Sequence, residues 1–212
     1  GSRVSDFQYN STYKYYVQAP PTFEDNKTTS KQHGRVTPYA GAVYDINDTY
    51  SVYASYTSIY KPGTNRSASG TTLAPTEGNS YEIGLKSEYF DGRLNASIAA
   101  FRTEQKKLPI QIGTNPNTNE GIFESLDGAT TKGVEFELSG EIMPDWNISA
   151  GYTYAQTRSD DGERVYGYPL ETPKPENVAK LFTTYRLPGL LNKVTVGAGV
   201  NWQSPFYGKI YN

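Results

Sequence analysis

Charged residues at alternate positions are the first groups in this sequence that could do chemistry. Four glutamates and one lysine form the set: Glu82, Lys86, Glu88, Glu135 and Glu137. Carboxyl groups held close together are the groups that general acid–base catalysis uses. No nucleophile or orienting histidine accompanies them, since the chain has a single histidine, His33. The sequence therefore does not predict an enzyme.

Residues that could bind a metal ion are few. The chain has no cysteine, and His33 stands alone in a polar stretch. Asp160, Asp161 and Glu163 could offer oxygen atoms to a hard cation such as Ca²⁺, but their spacing lacks the EF-hand pattern. We interpret these residues as solvated loop positions. No metal ion or cofactor is predicted to be bound by protein side chains.

Tyrosine is unusually frequent, with 19 residues against 8 Phe and 2 Trp. Its ring is apolar and its hydroxyl is polar, which suits a membrane–water interface or a surface that binds a carbohydrate or a chelate. The net charge is −2 at pH 7, so no excess of basic residues indicates binding to nucleic acid.

The elements that must position these side chains have a strand pattern, which is clearest in residues 78–102, GNSYEIGLKSEYFDGRLNASIAAFR. Apolar residues alternate with polar ones on both sides of Asp91-Gly92, a strong hairpin signal. The apolar positions of the first arm begin and end with Tyr81 and Tyr89. Each arm is about ten residues long, and a tilted strand needs about 9–11 residues to cross a bilayer.

The pattern repeats along the chain, and we count nine strands and no helix. Short turns are predicted at 46–48, 91–92, 142–145 and 188–192, and long loops at 10–33, 61–77, 104–128 and 157–175. An up-and-down outer-membrane barrel has short turns on one rim and long loops on the other. A Greek-key sandwich has no reason to keep this parity. The sequence thus predicts an all-β, antiparallel, up-and-down transmembrane β-barrel without helices.

The barrel interpretation also predicts where the charges lie. An Arg or Lys facing lipid at the middle of the bilayer costs about 2–4 kcal/mol, so the charged set is expected to face the lumen. Nine strands would leave two open edges with unpaired backbone groups. We therefore expect the chain to be part of a larger barrel.

Four stretches of the chain carry a family resemblance. They are PYAGAVYDINDTYSVYASYTSIYKP, GNSYEIGLKSEYFDGRLNASIAAFRTEQ, ATTKGVEFELSGEIMPDWNISAGYTY and KLFTTYRLPGLLNKVTVGAGVNWQ. In wording and order they closely resemble TonB-dependent siderophore receptors, especially the ferric-coprogen and ferripyoverdine receptor group. The resemblance implies a 22-stranded barrel of the Gram-negative outer membrane, plugged by an N-terminal domain. Residues 1–212 would be a middle-to-late part of that barrel, without the plug, the first strands and the last strands.

The same resemblance implies uptake of a ferric siderophore, of hydroxamate type, driven by the TonB complex through the missing N-terminal part. The siderophore would supply all iron ligands, while protein aromatic rings and cations hold its surface. The candidate ligand contacts are Tyr60, Arg66, Arg164, Tyr166, Tyr168 and Tyr207. Tyr154 and Trp202 fall on the lipid side and fit an aromatic girdle better than a ligand site. The charged set would either contact the plug or pair across strands in the wall.

Two other classes remain open at this point. One is a soluble all-β module that binds carbohydrate or acts as an adhesin through its tyrosine-rich loops. The other is a passive porin. Loop parity and uncharged outer faces favour a receptor over the soluble module, and energy dependence would separate a receptor from a porin.

Overall fold

The computed structural model describes residues 1–17, 22–116, 118–159 and 175–205. These residues form one sheet of nine strands whose order in space is their order in the chain. The strands are β1 (Ser2–Val17), β2 (Thr22–Asp45), β3 (Tyr50–Lys61), β4 (Thr76–Tyr89), β5 (Leu94–Thr114), β6 (Gly121–Met143), β7 (Trp146–Ser159), β8 (Asn177–Arg186) and β9 (Thr195–Gln203). Every neighbouring pair is antiparallel, which confirms the predicted all-β, up-and-down arrangement.

The two sides of the sheet differ in chemistry. Successive side chains along a strand point to opposite faces, and residues directly opposite on neighbouring strands point to the same face. We call one side the apolar face. A row across its middle consists of Val52, Leu85, Ile98, Phe136 and Tyr152. We call the other side the polar face, where the next row consists of Tyr53, Gly84, Ala99 and Glu135. The alternation seen in the sequence thus extends across several strands as one two-sided wall.

Short connections lie at one end of the sheet, which we call the turn rim. The turn between β4 and β5 spans residues 90–93, and Asp91 and Gly92 have φ values of 55° and 84°. Asn47 closes the turn before β3, since its Oδ1 accepts hydrogen bonds from the N–H groups of Thr49 and Tyr50, both at 2.9 Å. A single 3-10 turn, Gly189–Leu191, lies between β8 and β9. No helix among the described residues has the length and apolar character needed to cross a membrane.

Strands extend further than predicted at the opposite end, which we call the ribbon rim. The prediction of a long loop at 10–33 was wrong, because β1 continues to Val17 and β2 begins at Thr22. The loop predicted at 104–128 was also wrong for most of its length, since β5 reaches Thr114 and β6 begins at Gly121. Outside a bilayer both faces of a hairpin meet water, so hydrophobic alternation no longer marks the strands. Backbone pairing nevertheless continues and satisfies the N–H and C=O groups.

The predicted long loop at 61–77 is present between β3 and β4, and it packs against the hairpin of β5 and β6. Arg66 and Thr72 form an isolated antiparallel bridge within it, and the carbonyl of Arg66 accepts a 2.8 Å hydrogen bond from the N–H of Phe123. At its end, the buried Thr76 hydroxyl donates to the carbonyl of Lys107 at 3.1 Å. These contacts hold the loop in one position relative to the ribbon rim.

The edges of the sheet are open. Within the described residues, β1 pairs only with β2, and β9 pairs only with β8. Closure into a barrel would require further strands at both edges, as expected for part of a larger barrel.

Replacing Gly140 by alanine should lower the free energy of unfolding of the full-length protein by about 1–3 kcal/mol. Gly140 has a φ of +129°, and a Cβ there would lie 1.9 Å from the carbonyl oxygen of Arg93, the turn residue that precedes β5. Urea unfolding followed by tryptophan fluorescence measures the change. Gly151→Ala is the matched control, because the nearest atom to its new Cβ is 3.9 Å away. Equal midpoints for the two variants would contradict this reading of the close approach.

Candidate functional site

The polar face has a connected cluster at its centre. Tyr53 on β3 donates its hydroxyl to Glu82 Oε1 at 2.5 Å, and the ammonium of Lys86 lies 4.9 Å from the centre of the Tyr53 ring. The ring covers Gly84, where a Cβ would come within 2.4 Å of a ring atom. A glycine at this position therefore lets the tyrosine lie flat along the strand and reach the carboxylate.

Two further carboxylates of the predicted set lie on the same face. Glu135 is opposite Ala99, and Glu137 is opposite Ser97, which in turn is opposite Lys86. The intervening positions on β5 are small, so they leave the carboxylates open on the polar side. The register thus brings together three predicted glutamates and the predicted lysine, around a tyrosine that sequence analysis had not singled out.

Glu88 lies apart from this cluster, beside the turn rim. Its partner on β5 is Asn95, and its Oε1 is 2.9 Å from the position that a Cβ on Gly92 would occupy. The side chain therefore folds over the turn. A direct contact between any member of the charged set and a plug domain stays a prediction.

At the ribbon rim, the predicted ligand residue Tyr60 belongs to a different cluster. The guanidinium carbon of Arg35 lies 4.6 Å from the centre of the Tyr60 ring. Arg35 Nη2 also pairs with Glu77 Oε1 at 2.7 Å, and Glu77 Oε2 pairs with Lys107 at 3.3 Å. The Tyr60 hydroxyl is buried and has no hydrogen-bond partner among the described residues. This cluster joins β2, β3, β4 and β5 at the ribbon rim.

Sequence analysis missed Arg35, Glu77 and Lys107. Arg35 and Glu77 fall near the ends of predicted elements, and Lys107 falls inside a predicted loop. Lys107 has a φ of 58°, a left-handed conformation that no sequence signal marked here. Only the structure shows that these three residues meet.

The other predicted ligand residues divide into one that is described and four that are not. Arg66 lies in the connection between β3 and β4, where its side chain is half-buried. Arg164, Tyr166, Tyr168 and Tyr207 lie outside the described residues. A ligand role for these six residues, Tyr60 included, stays a prediction.

Of the residues considered as metal ligands, the structure describes His33 alone. His33 Nδ1 lies 3.5 Å from Asp6 Oδ1, and both side chains are largely exposed. Asp160, Asp161 and Glu163 lie outside the described residues. Within the part of the chain that the structure describes, no group of three or more His, Asp or Glu residues could hold a metal ion.

Aromatic residues border the apolar face at both rims. Tyr50 and Tyr89 form an edge-to-face pair at the turn rim, with ring centres 6.1 Å apart. Trp146 and Tyr185 form a similar pair at 6.0 Å. Near the ribbon rim, Tyr56 and Tyr81 lie side by side with ring centres 5.4 Å apart, and Tyr154 and Trp202 lie on the same face. Two aromatic rows flanking an apolar band are typical of a strand wall that crosses a membrane.

Comparison with known proteins agrees with this geometry. Residues 1–212 match the family model described as TonB dependent receptor-like, beta-barrel. The ferripyoverdine receptor of Pseudomonas aeruginosa is 44% identical over 190 residues, which cover 87% of this chain and 23% of the receptor. The ferric-pyoverdine 358 receptor of Pseudomonas putida is 40% identical over 207 residues, covering 96% of this chain and 24% of the receptor.

Solved structures give the same result. The crystal structure of the Pseudomonas aeruginosa ferripyoverdine receptor bound to ferripyoverdine superposes with a TM-score of 0.77 at 39% identity, covering 100% of this chain and 26% of that one. The alcaligin outer-membrane receptor FauA of Bordetella pertussis gives a TM-score of 0.73 at 41% identity, with 96% and 33% covered. The chain spans about a quarter of the length of the curated relatives it matches. The two-faced antiparallel sheet, the aromatic borders and the family match over residues 1–212 agree. The chain belongs to the TonB-dependent receptor β-barrel family of the Gram-negative outer membrane.

Proposed function

We propose that the full-length protein is an outer-membrane receptor that imports a ferric siderophore with energy from the TonB complex. The observation that carries the proposal is the two-faced sheet with identities of 40–44% to two ferric-pyoverdine receptors. These relatives are receptors, which agrees with a transport role rather than an enzymatic one. Residues 1–212 supply part of the barrel wall, and the plug and remaining strands belong to other parts of the protein.

The ligand is proposed to bind at the ribbon rim. Strands there extend well beyond the length that a bilayer requires, so their side chains can surround a bulky chelate outside the membrane. Tyrosine rings offer stacking surfaces and arginines offer charge to an anionic complex. The proposed contacts remain Tyr60, Arg66, Arg164, Tyr166, Tyr168 and Tyr207. Iron ligands come from the siderophore itself, for which we propose the hydroxamate class.

The polar face is proposed to line the barrel lumen. A charged side chain on the apolar face would lie in the hydrocarbon layer at a cost in folding free energy, whereas the polar face can be solvated or can contact a plug. On this assignment, the cluster of Glu82, Lys86, Glu135 and Glu137 faces the plug from the wall. The turn rim then lies in the periplasm, and the ribbon rim lies outside the cell.

Binding of ferric siderophores to the full-length receptor in detergent tests the ligand. The panel contains coprogen, rhodotorulic acid, ferrichrome and a pyoverdine, and quenching of tryptophan fluorescence reports binding. We expect one hydroxamate-bearing siderophore to bind at least about 100-fold more tightly than the others, equal to about 2.7 kcal/mol. Removing the rings of Tyr166 and Tyr168 should then weaken binding about 5- to 100-fold, as expected for two stacking contacts.

Three other outcomes would change the proposed substrate class or the proposed function. Tight binding of a siderophore without hydroxamate groups would replace the substrate class and keep the receptor. Uptake that persists after deletion of the TonB-interacting segment would indicate a porin. A full-length protein that stays monodisperse without detergent would contradict a membrane receptor.

A further inference from the structure

The connection between β3 and β4, residues 62–75, leaves the sheet from a stem that is held by one set of contacts. Tyr60 and Glu77 are direct cross-strand partners in this stem. Arg35 of β2 reaches both, because its guanidinium carbon lies 4.6 Å from the centre of the Tyr60 ring and its Nη2 pairs with Glu77 Oε1 at 2.7 Å. Lys107 of β5 pairs with Glu77 Oε2 at 3.3 Å. We call these four residues the stem clamp, and residues 62–75 the β3–β4 loop.

Glu77 is at the centre of the stem clamp. Its two carboxylate oxygens bind cations from the strands on either side of the β3–β4 pair, Arg35 of β2 and Lys107 of β5. Lys106 of β5 is also near, since it is the cross-strand partner of Glu77. One carboxylate is therefore shared by two cations and is adjacent to a third. Loss of this single negative charge would release the stem on both sides at once.

A second contact joins β5 to the stem through the backbone. Thr76 is buried, and its hydroxyl donates to the carbonyl of Lys107 at 3.1 Å. Lys107 itself has a φ of 58°, a left-handed conformation that is disfavoured for residues with a side chain. Strained backbone of this kind persists where the surrounding contacts enforce it, and it is frequent at ligand clamps. The meeting of β5 with the stem is thus a specified feature of the fold.

The β3–β4 loop is folded on itself beyond the stem, and this fold holds the backbone of Arg66. Arg66 and Thr72 form an antiparallel bridge, and the N–H of Leu73 donates to the carbonyl of Asn65 at 2.9 Å. The carbonyl of Arg66 accepts a 2.8 Å hydrogen bond from the N–H of Phe123 on β6. Because the loop is held together internally, the position of Arg66 depends on how the stem leaves the sheet.

The stem clamp is poorly suited to a purely stabilising role. The Tyr60 hydroxyl and Arg35 Nε are both buried without a hydrogen-bond partner among the described residues, and such groups lower stability. The charged side chains of Arg35, Glu77 and Lys107 are between 35% and 48% exposed, and ion pairs at such positions contribute little to stability. The contacts therefore order the β3–β4 loop while adding little to the free energy of folding.

We propose that Arg35, Glu77 and Lys107 are positioning residues for siderophore binding. They hold the β3–β4 loop so that Arg66 meets the anionic chelate in the conformation that binds it. Ordering a loop during binding weakens affinity, and the stem clamp completes this ordering before the ligand arrives. The inference rests on the proposed function, in which Arg66 is a ligand contact.

The test uses full-length receptor in detergent, with ferric pyoverdine and ferric coprogen as probes and quenching of tryptophan fluorescence as the readout. Glu77→Gln should weaken binding of the probe that the wild type binds by about 2- to 10-fold, as expected when about one side chain must be ordered on binding. Arg35→Gln opens the same clamp from β2 and should cause a loss of the same size. Both variants should keep the urea unfolding midpoint of the wild type, whereas a structural defect would lower it.

A double variant shows whether the stem clamp acts through Arg66. Arg66→Gln alone should weaken binding, and adding Glu77→Gln should cause no further loss, because the loop then carries no guanidinium to position. Losses that multiply would overturn the proposal. Trypsin cleavage after Arg66 reports the order of the loop without any ligand. It should be about 2- to 10-fold faster in Glu77→Gln, since cleavage follows the population of the open loop, and an unchanged rate would also overturn the proposal.

Glu104→Gln is the matched control. The Glu104 side chain is 36% exposed and pairs with Arg102 at 2.5 Å, so the same charge is removed from a neighbouring strand outside the stem clamp. The control should bind the probe and resist trypsin as the wild type does. An equal loss in the control, or wild-type affinity in Glu77→Gln, overturns the positioning role and leaves the receptor assignment intact. A wild type that binds neither probe rejects the proposed substrate class, and the positioning role with it.

Discussion

Replacing Ala150 by lysine is expected to lower the free energy of unfolding of the full-length receptor by about 2–4 kcal/mol. Ala150 lies on the apolar face midway along β7, between Trp146 and Tyr154. Its cross-strand partners are Leu138 and Leu181, so no polar group is opposite it. A lysine there would place its ammonium in the hydrocarbon layer, far from both aromatic borders.

The preceding residue is a matched control. Ser149 is also small, lies on the polar face, and has Ser139 and Phe182 as partners. Ser149→Lys adds the same side chain on the opposite side of the wall and should cost less than about 1 kcal/mol, as for an ordinary exposed substitution. Unfolding in urea from lipid vesicles compares the two variants. An equal loss for both would mean that the apolar face does not contact lipid.

The central strands could be predicted from sequence because one physical signal dominates there. Water on one side and hydrocarbon on the other force strict alternation, and Asp91-Gly92 supplies the turn. The observed register places Ile83 opposite Ala100 and Leu85 opposite Ile98, as the alternation requires. The order of the strands in the sheet could be predicted as well, because a short turn brings two consecutive strands side by side, where they pair.

The strand extensions at the ribbon rim could not be predicted, because the alternation of apolar and polar residues disappears outside the bilayer. The sequence of residues 10–17 and 22–33 has no alternating apolar pattern. The two strands nevertheless pair there, and the one irregularity in their register lies between Ser5 and Phe7. The Arg35–Glu77–Lys107 cluster was missed for a related reason. Its members come from β2, β4 and β5, and their contact depends on how far each of these strands extends toward the ribbon rim.

The candidate site also has a part that could be predicted from the sequence and a part that could not. Phase alone predicted that Glu82, Lys86, Glu135 and Glu137 share a side of the sheet. Phase also places Tyr53 on the polar face, but no sequence signal indicates that its hydroxyl would donate to Glu82. Its role appears only when the small Gly84 opposite it is seen to admit the ring.

Reversing two charges of the polar face should release the plug in the full-length receptor. In the variant Glu82→Lys/Glu135→Lys, two carboxylates that are proposed to face the plug become cations. Surfaces in contact have complementary potentials, and placing like charges together costs several kcal/mol. We therefore expect the plug to become sensitive to protease and the outer membrane to admit a bulky antibiotic, while the barrel still assembles.

The control reverses two carboxylates at the ribbon rim, Glu120→Lys/Glu124→Lys, and should leave the plug protected. A second comparison separates plug contact from pairing within the wall. Tyr53→Phe removes the hydroxyl that donates to Glu82 and should cost about 1 kcal/mol of barrel stability without releasing the plug. If the glutamates only pair with wall residues, the charge-reversed variant will lose barrel stability and keep a protected plug. Protease protection and unfolding midpoints, measured on the same preparations, therefore decide between two roles of the polar-face glutamates: contact with the plug, or pairing with other residues of the barrel wall.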